Sequence, residues 1–320
     1  AYRLDHTLSN VNINLGGYYQ DDGELFEAAH YLLQAVPYAD HPSALLLRIA
    51  TALTPVVRSW EQMAQERATF EISVLSLLAE MHSRNGSDNG SEYRTLSQFP
   101  LMGNSDLDYI HFYVVYHGLN DRYLQELMAT VYKAFIRDLN YYSPHLLVTT
   151  HKSKKNPTIS SRNKTRIGFV SKFFGLFEPH GLLLDGVMAS LHRERYHVIG
   201  LPVMRTDGKP LAPTIAAACD EVQDVPLAHH DARQLISSLE LDILVFADTL
   251  SEPMTHFLAH TRLASYQVAF WGNPVTSGSP EIDYFVSSWS MEHPFRTRFP
   301  DGDSDPYSEQ VVLLQGQGIW

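Results

Sequence analysis

The sequence predicts an α/β protein in which a parallel sheet covered by helices on both faces follows an all-helical region. Three observations point there. From Arg166 onward, short runs rich in β-branched and aromatic residues alternate with segments of helical period. Before Pro144 the apolar residues recur at helical spacing without such runs. Between the two lies a basic, proline-marked stretch from Pro144 to Lys164, which reads as a domain boundary.

In chain order, residues 12–36 carry apolar and small residues at helical spacing on both sides of a break at Asp21, Asp22 and Gly23, which predicts a helical hairpin. Leu15, Gly16, Tyr19, Gly23, Ala28, Leu32 and Ala35 occupy the offsets of a tetratricopeptide unit, where small residues let two helices pack closely. The proline that usually closes such a unit is displaced to Pro42. A lone unit cannot bury its faces, so this one is expected to be the last of an array. Helical period continues from Ser43 to Glu80, a polar run from His82 to Tyr93 reads as a loop, and Tyr109 to Ala134 resumes as helix. Strands are expected at 166–171, 196–203, 242–247, 266–271, 282–287 and 311–314, with helices at 181–193, 212–219, 231–239 and 253–261. The division is 1–42 (tetratricopeptide-like hairpin), 43–150 (helical linker) and 165–320 (α/β lobe).

Composition narrows the function classes. A chain of 320 residues can bury two cores, and 44% hydrophobic with 19% charged residues excludes disorder for most of its length. With 24 basic against 36 acidic side chains, a net charge of -12 argues against a broad grip on nucleic acid or anionic lipid. A single cysteine, Cys219, allows neither an internal disulfide nor a zinc finger, which fits a reducing compartment, the cytoplasm with the nucleus as second site. Apolar stretches such as Ala44 to Leu47 and Ile243 to Ala247 fall far short of the roughly 20 residues that cross a bilayer, so no span is expected. The chain starts at Ala1 with no secretion signal and is read as a piece of a longer protein. N-x-[ST] triplets at Asn85, Asn89 and Asn163 fall in polar loops that generate them by chance.

In an open parallel sheet, ligands bind beyond the carboxyl ends of the strands. The loop from Trp271 to Gly278 is the richest of these: its glycines permit close backbone approach, Pro274 stiffens it, and Thr276 and Ser277 add hydroxyls. It reads either as a ligand loop or as a demanding turn. It has no lysine near its second glycine, and the chain has no G-x-G-x-x-G or G-x-S-x-G, which sets aside Walker ATPases, dinucleotide dehydrogenases and serine hydrolases. In the loop from Phe173 to Gly181, His180 is a candidate general base or hydroxyl-positioning group, or else a passive side chain of a capping loop. Asp248 and Thr249 follow a strand at the same edge, as ligand groups or as the cap of the next helix. His256 and His260 have metal-ligand spacing but no third ligand, and His229 with His230 reads as a solvated pair. Tyr113, Tyr116, Tyr123 and Tyr132 read as a helix-packing stripe.

With these residues laid out, the sequence resembles the protein O-GlcNAc transferase family, glycosyltransferase family forty-one, which includes the SPINDLY-type O-fucosyltransferases. The resemblance rests on Asn14 to Leu25, His111 to Asp121, Arg166 to Phe174, Asp242 to Val245, Gln267 to Gly278 followed by Ile282-Asp-Tyr284, and Tyr307 to Leu314. The W-G-x-P-x-T-S-G stretch with I-D-Y is the most specific piece. The resemblance implies a Rossmann-like first lobe of a two-lobed glycosyltransferase of the B type, with a second lobe beyond Trp320 gripping UDP without metal or other cofactor. His180 is nearest to the family's first-lobe histidine, one residue from an ungapped match to the animal pattern N-H-x-x-x-H. Asp242 stands where animal members carry a histidine. Carried over, His180 and Asp248 become catalytic candidates, and Gly272, Pro274, Thr276, Ser277, Gly278 and Thr249 substrate-binding ones. The implied reaction is inverting transfer of GlcNAc from the donor substrate UDP-GlcNAc to Ser or Thr hydroxyls of proteins held by the helical repeats. The 320-residue chain alone is expected to be inactive. Two alternatives stay open: an O-fucosyltransferase using GDP-fucose, and an interaction scaffold without turnover.

Overall fold

The computed structural model describes residues 9–84, 96–101, 109–149, 164–204, 210–296 and 305–315. The triplets at Asn85 and Asn89, Asn163 of the third, most of the polar run from His82, residues 150–163 of the basic stretch and the centre of the insertion from Pro294 to Pro306 lie outside them. The chain divides into two compact units, Ala1–Leu119 with Thr130–Asp138, and Asn120–Ala129 with Leu139–Trp320.

The described part of the first unit is helical. α1 (Ser9–Asp21) and α2 (Leu25–Ala35) form the expected hairpin. Gly16 sets their spacing: a Cβ there would lie 2.5 Å from Leu32 Cγ. Ile13, Leu32, Ala35, Ala39 and Leu45 close a small core beneath them. α3 (Pro42–Ala50) begins with proline at a position where its missing N–H costs nothing, and α4 (Trp60–Arg84) runs beyond its expected end at Glu80. The structure adds one interruption to the expected helical period. The stretch from Tyr109 to Ala134 is not a single helix but a 3-10 turn, Phe112–His117, followed by α5 (Arg122–Phe135). Gly118, with φ of 64°, ends the turn, and the Asn120 side chain accepts a 3.0 Å hydrogen bond from the Arg122 N–H to start the next helix. The break scatters the tyrosine stripe. Tyr132 is buried and bonded through its hydroxyl to His111 Nδ1 at 2.9 Å, while Tyr116 and Tyr123 are exposed.

The second unit adds α6 (Pro144–Thr149), β1 (Thr165–Ser171), α7 (Pro179–Ser190), β2 (Tyr196–Pro202), α8 (Pro213–Ala217), β3 (Glu221–Val222) and α9 (His229–Ser238). It continues with β4 (Ile243–Phe246), α10 (Pro253–Leu258), β5 (Tyr266–Phe270), β6 (Tyr284–Ser288), α11 (Trp289–Arg296) and β7 (Gln310–Leu314). All seven strands run parallel in the order β3-β2-β1-β4-β5-β6-β7. Alternate strand residues face opposite ways. Ile167, Phe169 and Phe270 join Leu184 and Met188 of α7 and Ile215 of α8, whereas Val170, Leu244 and Phe285 join Ile236 of α9 and Leu258 of α10. The expected α/β architecture with helices on both faces is therefore present. Strand β3 escaped the sequence reading because two residues carry no period, and His229 is buried in the first turn of α9 rather than solvated. No helix among the described residues is long and apolar enough to cross a membrane.

The order places a topological switch between β1 and β4, where successive connections leave in opposite directions. At such a switch, loops beyond the carboxyl ends of the two strands generally diverge to leave a crevice, the usual ligand position in this architecture.

Candidate functional site

Three loops meet at that crevice, one after β1, one after β4 and one after β5. What lets them meet is Gly272. A Cβ on it would lie 2.3 Å from the Ala247 carbonyl oxygen and 2.6 Å from His180 Cδ2, so the third loop fits only without a side chain. His180 enters from the first turn of α7 with its ring stacked on Phe173 at 4.9 Å between centroids. Its ring nitrogens are buried and form no well-aligned hydrogen bond among the described residues, which removes the passive-surface reading. Burial holds its pKa below the ordinary imidazole value, against a weaker opposing pull from the Gly272 backbone and Glu178.

Asp248, one residue beyond Ala247, is fully buried. Its Oδ2 accepts from Ser171 Oγ at 3.2 Å and from the Lys172 N–H at 3.1 Å, while Oδ1 has no partner among the described residues. Burial, reinforced by the nearby Glu252 carboxylate, pushes the Asp248 carboxyl well above the ordinary carboxylate range. The capping role open to Asp248 is taken by Glu252, which accepts from the Met254 N–H at 2.9 Å and from the Thr255 N–H. Lys172 Nζ lies 3.6 Å from Glu252, so its charge is directed there. Thr249 Oγ1, Trp271 Nε1 and Asn273 Oδ1 are also buried without a hydrogen-bond partner among the described residues. Trp271 and Asn273 belong to the loop the sequence pointed to but were not among its candidate site residues; their position directly after a parallel strand was the available signal.

The rest of the 271–278 loop has another occupation. Thr276 Oγ1 donates to Glu309 Oε2 at 2.6 Å, and the Ser277 N–H donates to Glu309 Oε1 at 2.8 Å. Ser277 Oγ donates to the same Oε1. Both hydroxyls are buried against this carboxylate, which fastens the loop to the start of β7, while Pro274 is exposed at the rim and Gly278 packs on Gln125. Glu309→Ala strands three donors and is expected to cost about 3 kcal/mol, lowering the melting temperature by roughly 6–12 °C. Thermal unfolding checks it, and a drop below about 2 °C would mean that the carboxylate is not the fastener.

Asp242 sits at the opposite edge of the sheet, where its Oδ2 accepts from the Arg166 N–H at 2.8 Å. It bonds β1 to β4 far from the crevice. His256 and His260 pack ring to ring at 4.8 Å inside the fold, and no group of three or more His, Cys, Asp or Glu among the described residues could hold a metal ion.

No family model and no curated protein matches this chain. Among solved structures it is similar to a mutant O-GlcNAc transferase of Thermobaculum terrenum, at 18% identity and a TM-score of 0.40. The match covers 96% of this chain and 57% of that one, so the chain spans little more than half of that protein's length.

The backbone adds a second mark of the crevice. Two of the three described non-glycine residues with positive φ lie in its loops, Leu250 at 64° and Phe177 at 62°. Each costs on the order of 1–2 kcal/mol, and such strain concentrates where a site fixes geometry. Leu250 follows Thr249 and is fully buried, so packing offsets its strain. Chemically, the crevice offers a near-neutral imidazole, a carboxyl biased towards protonation, a hydroxyl, an indole N–H and an amide oxygen. That set can hold hydroxyl groups and receive a proton; it contains no cation to neutralise a diphosphate.

Proposed function

We propose that residues 165–320 are the first, acceptor-side lobe of a protein glycosyltransferase. In this reading 1–42 is a tetratricopeptide-like hairpin and 43–150 a helical linker, and upstream repeats present the polypeptide acceptor. The observation that carries it is the set of buried polar atoms without hydrogen-bond partners among the described residues in the loops after β1, β4 and β5: both ring nitrogens of His180, Asp248 Oδ1, Thr249 Oγ1, Trp271 Nε1 and Asn273 Oδ1. Buried polar atoms left unpaired cost about 1–3 kcal/mol each, so six in three neighbouring loops argue for a polar ligand that completes them. The residues carrying the family resemblance run through the same loops.

The reaction proposed is transfer of N-acetylglucosamine from UDP-GlcNAc to a Ser or Thr hydroxyl, with inversion. The hydroxyl oxygen forms a bond to the anomeric carbon as the bond to the diphosphate breaks and its electron pair leaves with UDP. The hydroxyl proton passes to a base. His180 suits that role because burial keeps its imidazole neutral near pH 7. Thr249, Trp271 and Asn273 would orient hydroxyl and amide groups, and Gly272 and Pro274 shape the wall. Thr276, Ser277 and Gly278 then serve by holding that wall in place. Grip on the diphosphate falls to groups outside this cluster.

Radiolabelled UDP-GlcNAc and GDP-fucose, supplied with Ser/Thr peptides to the natural full-length product and to the 320-residue chain, test this. UDP-GlcNAc turnover by the full-length product is expected, with none by the 320-residue chain and a loss of about 100-fold or more in kcat/KM on His180→Ala. Turnover of GDP-fucose instead would replace the donor. Turnover of neither would leave the interaction scaffold, and full activity of His180→Ala would remove the base.

A further inference from the structure

His180 as a whole is only partly buried, yet both of its ring nitrogens are enclosed. Two walls meet the ring. One is the backbone of Gly272, where a Cβ would lie 2.6 Å from His180 Cδ2, 3.2 Å from Nε2 and 2.3 Å from the Ala247 oxygen. Held between the imidazole and the end of β4, this wall is fixed. The other is the Phe173 ring, stacked on the imidazole at 4.9 Å between centroids and 23° between planes.

Phe173 is the wall that can move. Its backbone is fastened, because the N–H donates to Ser171 Oγ at 2.9 Å and the carbonyl accepts from the Gly181 N–H at 3.2 Å. Its side chain is held less firmly. Phe174 beside it joins the core under α7, whereas Phe173 is half-buried and belongs to neither of the two cores that cover the faces of the sheet. An aromatic stack favours the closed arrangement by roughly 2- to 10-fold, so rotation of this side chain leaves the imidazole uncovered in about a tenth of molecules or more.

We infer that Phe173 is a gate over His180: stacked, it covers the imidazole, and swung aside, it admits a polar group of the substrate to a ring nitrogen. That the group admitted is the acceptor hydroxyl rests on the transferase reading above. The gate then has a definite use. A base that stays covered until the acceptor is seated cannot activate water against the donor sugar, so hydrolysis of the donor is held down.

The test labels the 320-residue chain with diethyl pyrocarbonate, which reacts with neutral imidazole nitrogens, and times the labelling of each histidine by peptide mass spectrometry. At about pH 7.5 the imidazole is largely neutral with or without its cover, so the rate reads access rather than titration. His192, exposed, and His256, wholly buried, are internal standards. Phe173→Ala is expected to label His180 about three to ten times faster than the wild type, with both standards unmoved. Phe173→Leu keeps apolar bulk without a ring face, which guards against a misfolded alanine variant, and should be at least about twofold faster; Phe173→Tyr should keep the wild-type rate. Equal rates at His180 in the wild type and in the alanine and leucine variants would overturn the gate. Faster labelling shared by His256 would overturn it too, since the side chain would then be holding the fold. On the natural full-length product, Phe173→Ala is expected to raise hydrolysis of UDP-GlcNAc relative to transfer. If the full-length product turns over no donor while His180 labelling still follows the Phe173 variants, the transferase reading falls and the gate stands; donor turnover with labelling indifferent to them leaves the reading and removes the gate.

Discussion

Gly278→Ala is expected to destabilise the second unit by about 3–4 kcal/mol, although it adds only a single methyl group. Two costs combine. At φ of 65° the glycine occupies a region where an L-residue pays on the order of 1 kcal/mol. The new Cβ would then lie 2.3 Å from the Gln125 carbonyl carbon and 2.4 Å from its oxygen. These are backbone atoms of α5, fixed by the helix, so the clash is relieved only by moving the loop. Overpacking of this kind costs about 1–3 kcal/mol, and moving the loop also strains the bonds from Thr276 and Ser277 to Glu309. The melting temperature should fall by roughly 6–16 °C. Pro274→Ala, exposed on the same loop, should shift stability by less than about 1 kcal/mol and serves as control. A loss below about 1 kcal/mol for Gly278→Ala would mean that loop and helix do not approach as described.

The α/β unit was legible because its signal is local and repeated. Strands such as Arg166 to Ser171 and Asp242 to Ala247 are apolar runs buried on both faces, separated by helical segments, and only a parallel sheet uses that pattern economically. The helical hairpin was legible for the same reason, with Gly16 in the offset that brings α1 against Leu32. What could not be read depends on contacts between distant residues. Glu309 lies 32 residues from Ser277, and nothing in the turn Thr276-Ser277-Gly278 announces that a carboxylate will occupy its hydroxyls. Phe177 was invisible as a strained residue because positive φ is foreseen only at glycine or asparagine. Within the crevice, residue types with familiar chemistry, His180 and Asp248, stood out, while Trp271 and Asn273 resembled ordinary loop residues until their polar atoms proved buried and unpaired. The helical intervals from Tyr109 to Ala134 gave no sign of the interruption at Gly118, a single residue whose effect a periodic count averages away.

The second large effect is a pH dependence. Asp248→Asn is expected to stabilise the protein relative to the wild type by an amount that grows with pH. The Asp248 carboxyl is raised in the folded state, first by burial and then by Glu252, against weaker pulls from the Lys172 N–H, Ser171 and Thr255. Between the unfolded value near 3.8 and the raised folded value, the folded state holds more protons than the unfolded one. The contribution of Asp248 is thus fully present below that unfolded value and lost as pH rises through the folded one, by up to about 1.4 kcal/mol per pH unit. Asparagine copies the shape of the protonated acid and does not titrate, so its advantage should be near constant below pH 4 and widen above it. His180 runs the other way: its pKa is lowered, so its contribution grows as pH rises from the folded value to about 6.5 and is level beyond. His180 is present in both proteins, and taking the difference between them removes its part. Denaturant unfolding from pH 4 to 8 reads the result. A flat difference would show that Asp248 ionises without penalty. The same substitution puts an N–H where the protonated acid would carry its O–H, at the unpaired Oδ1 position or beside Ser171. If a neutral donor is what the crevice needs from this residue, Asp248→Asn should keep peptide and sugar-nucleotide binding that Asp248→Ala loses.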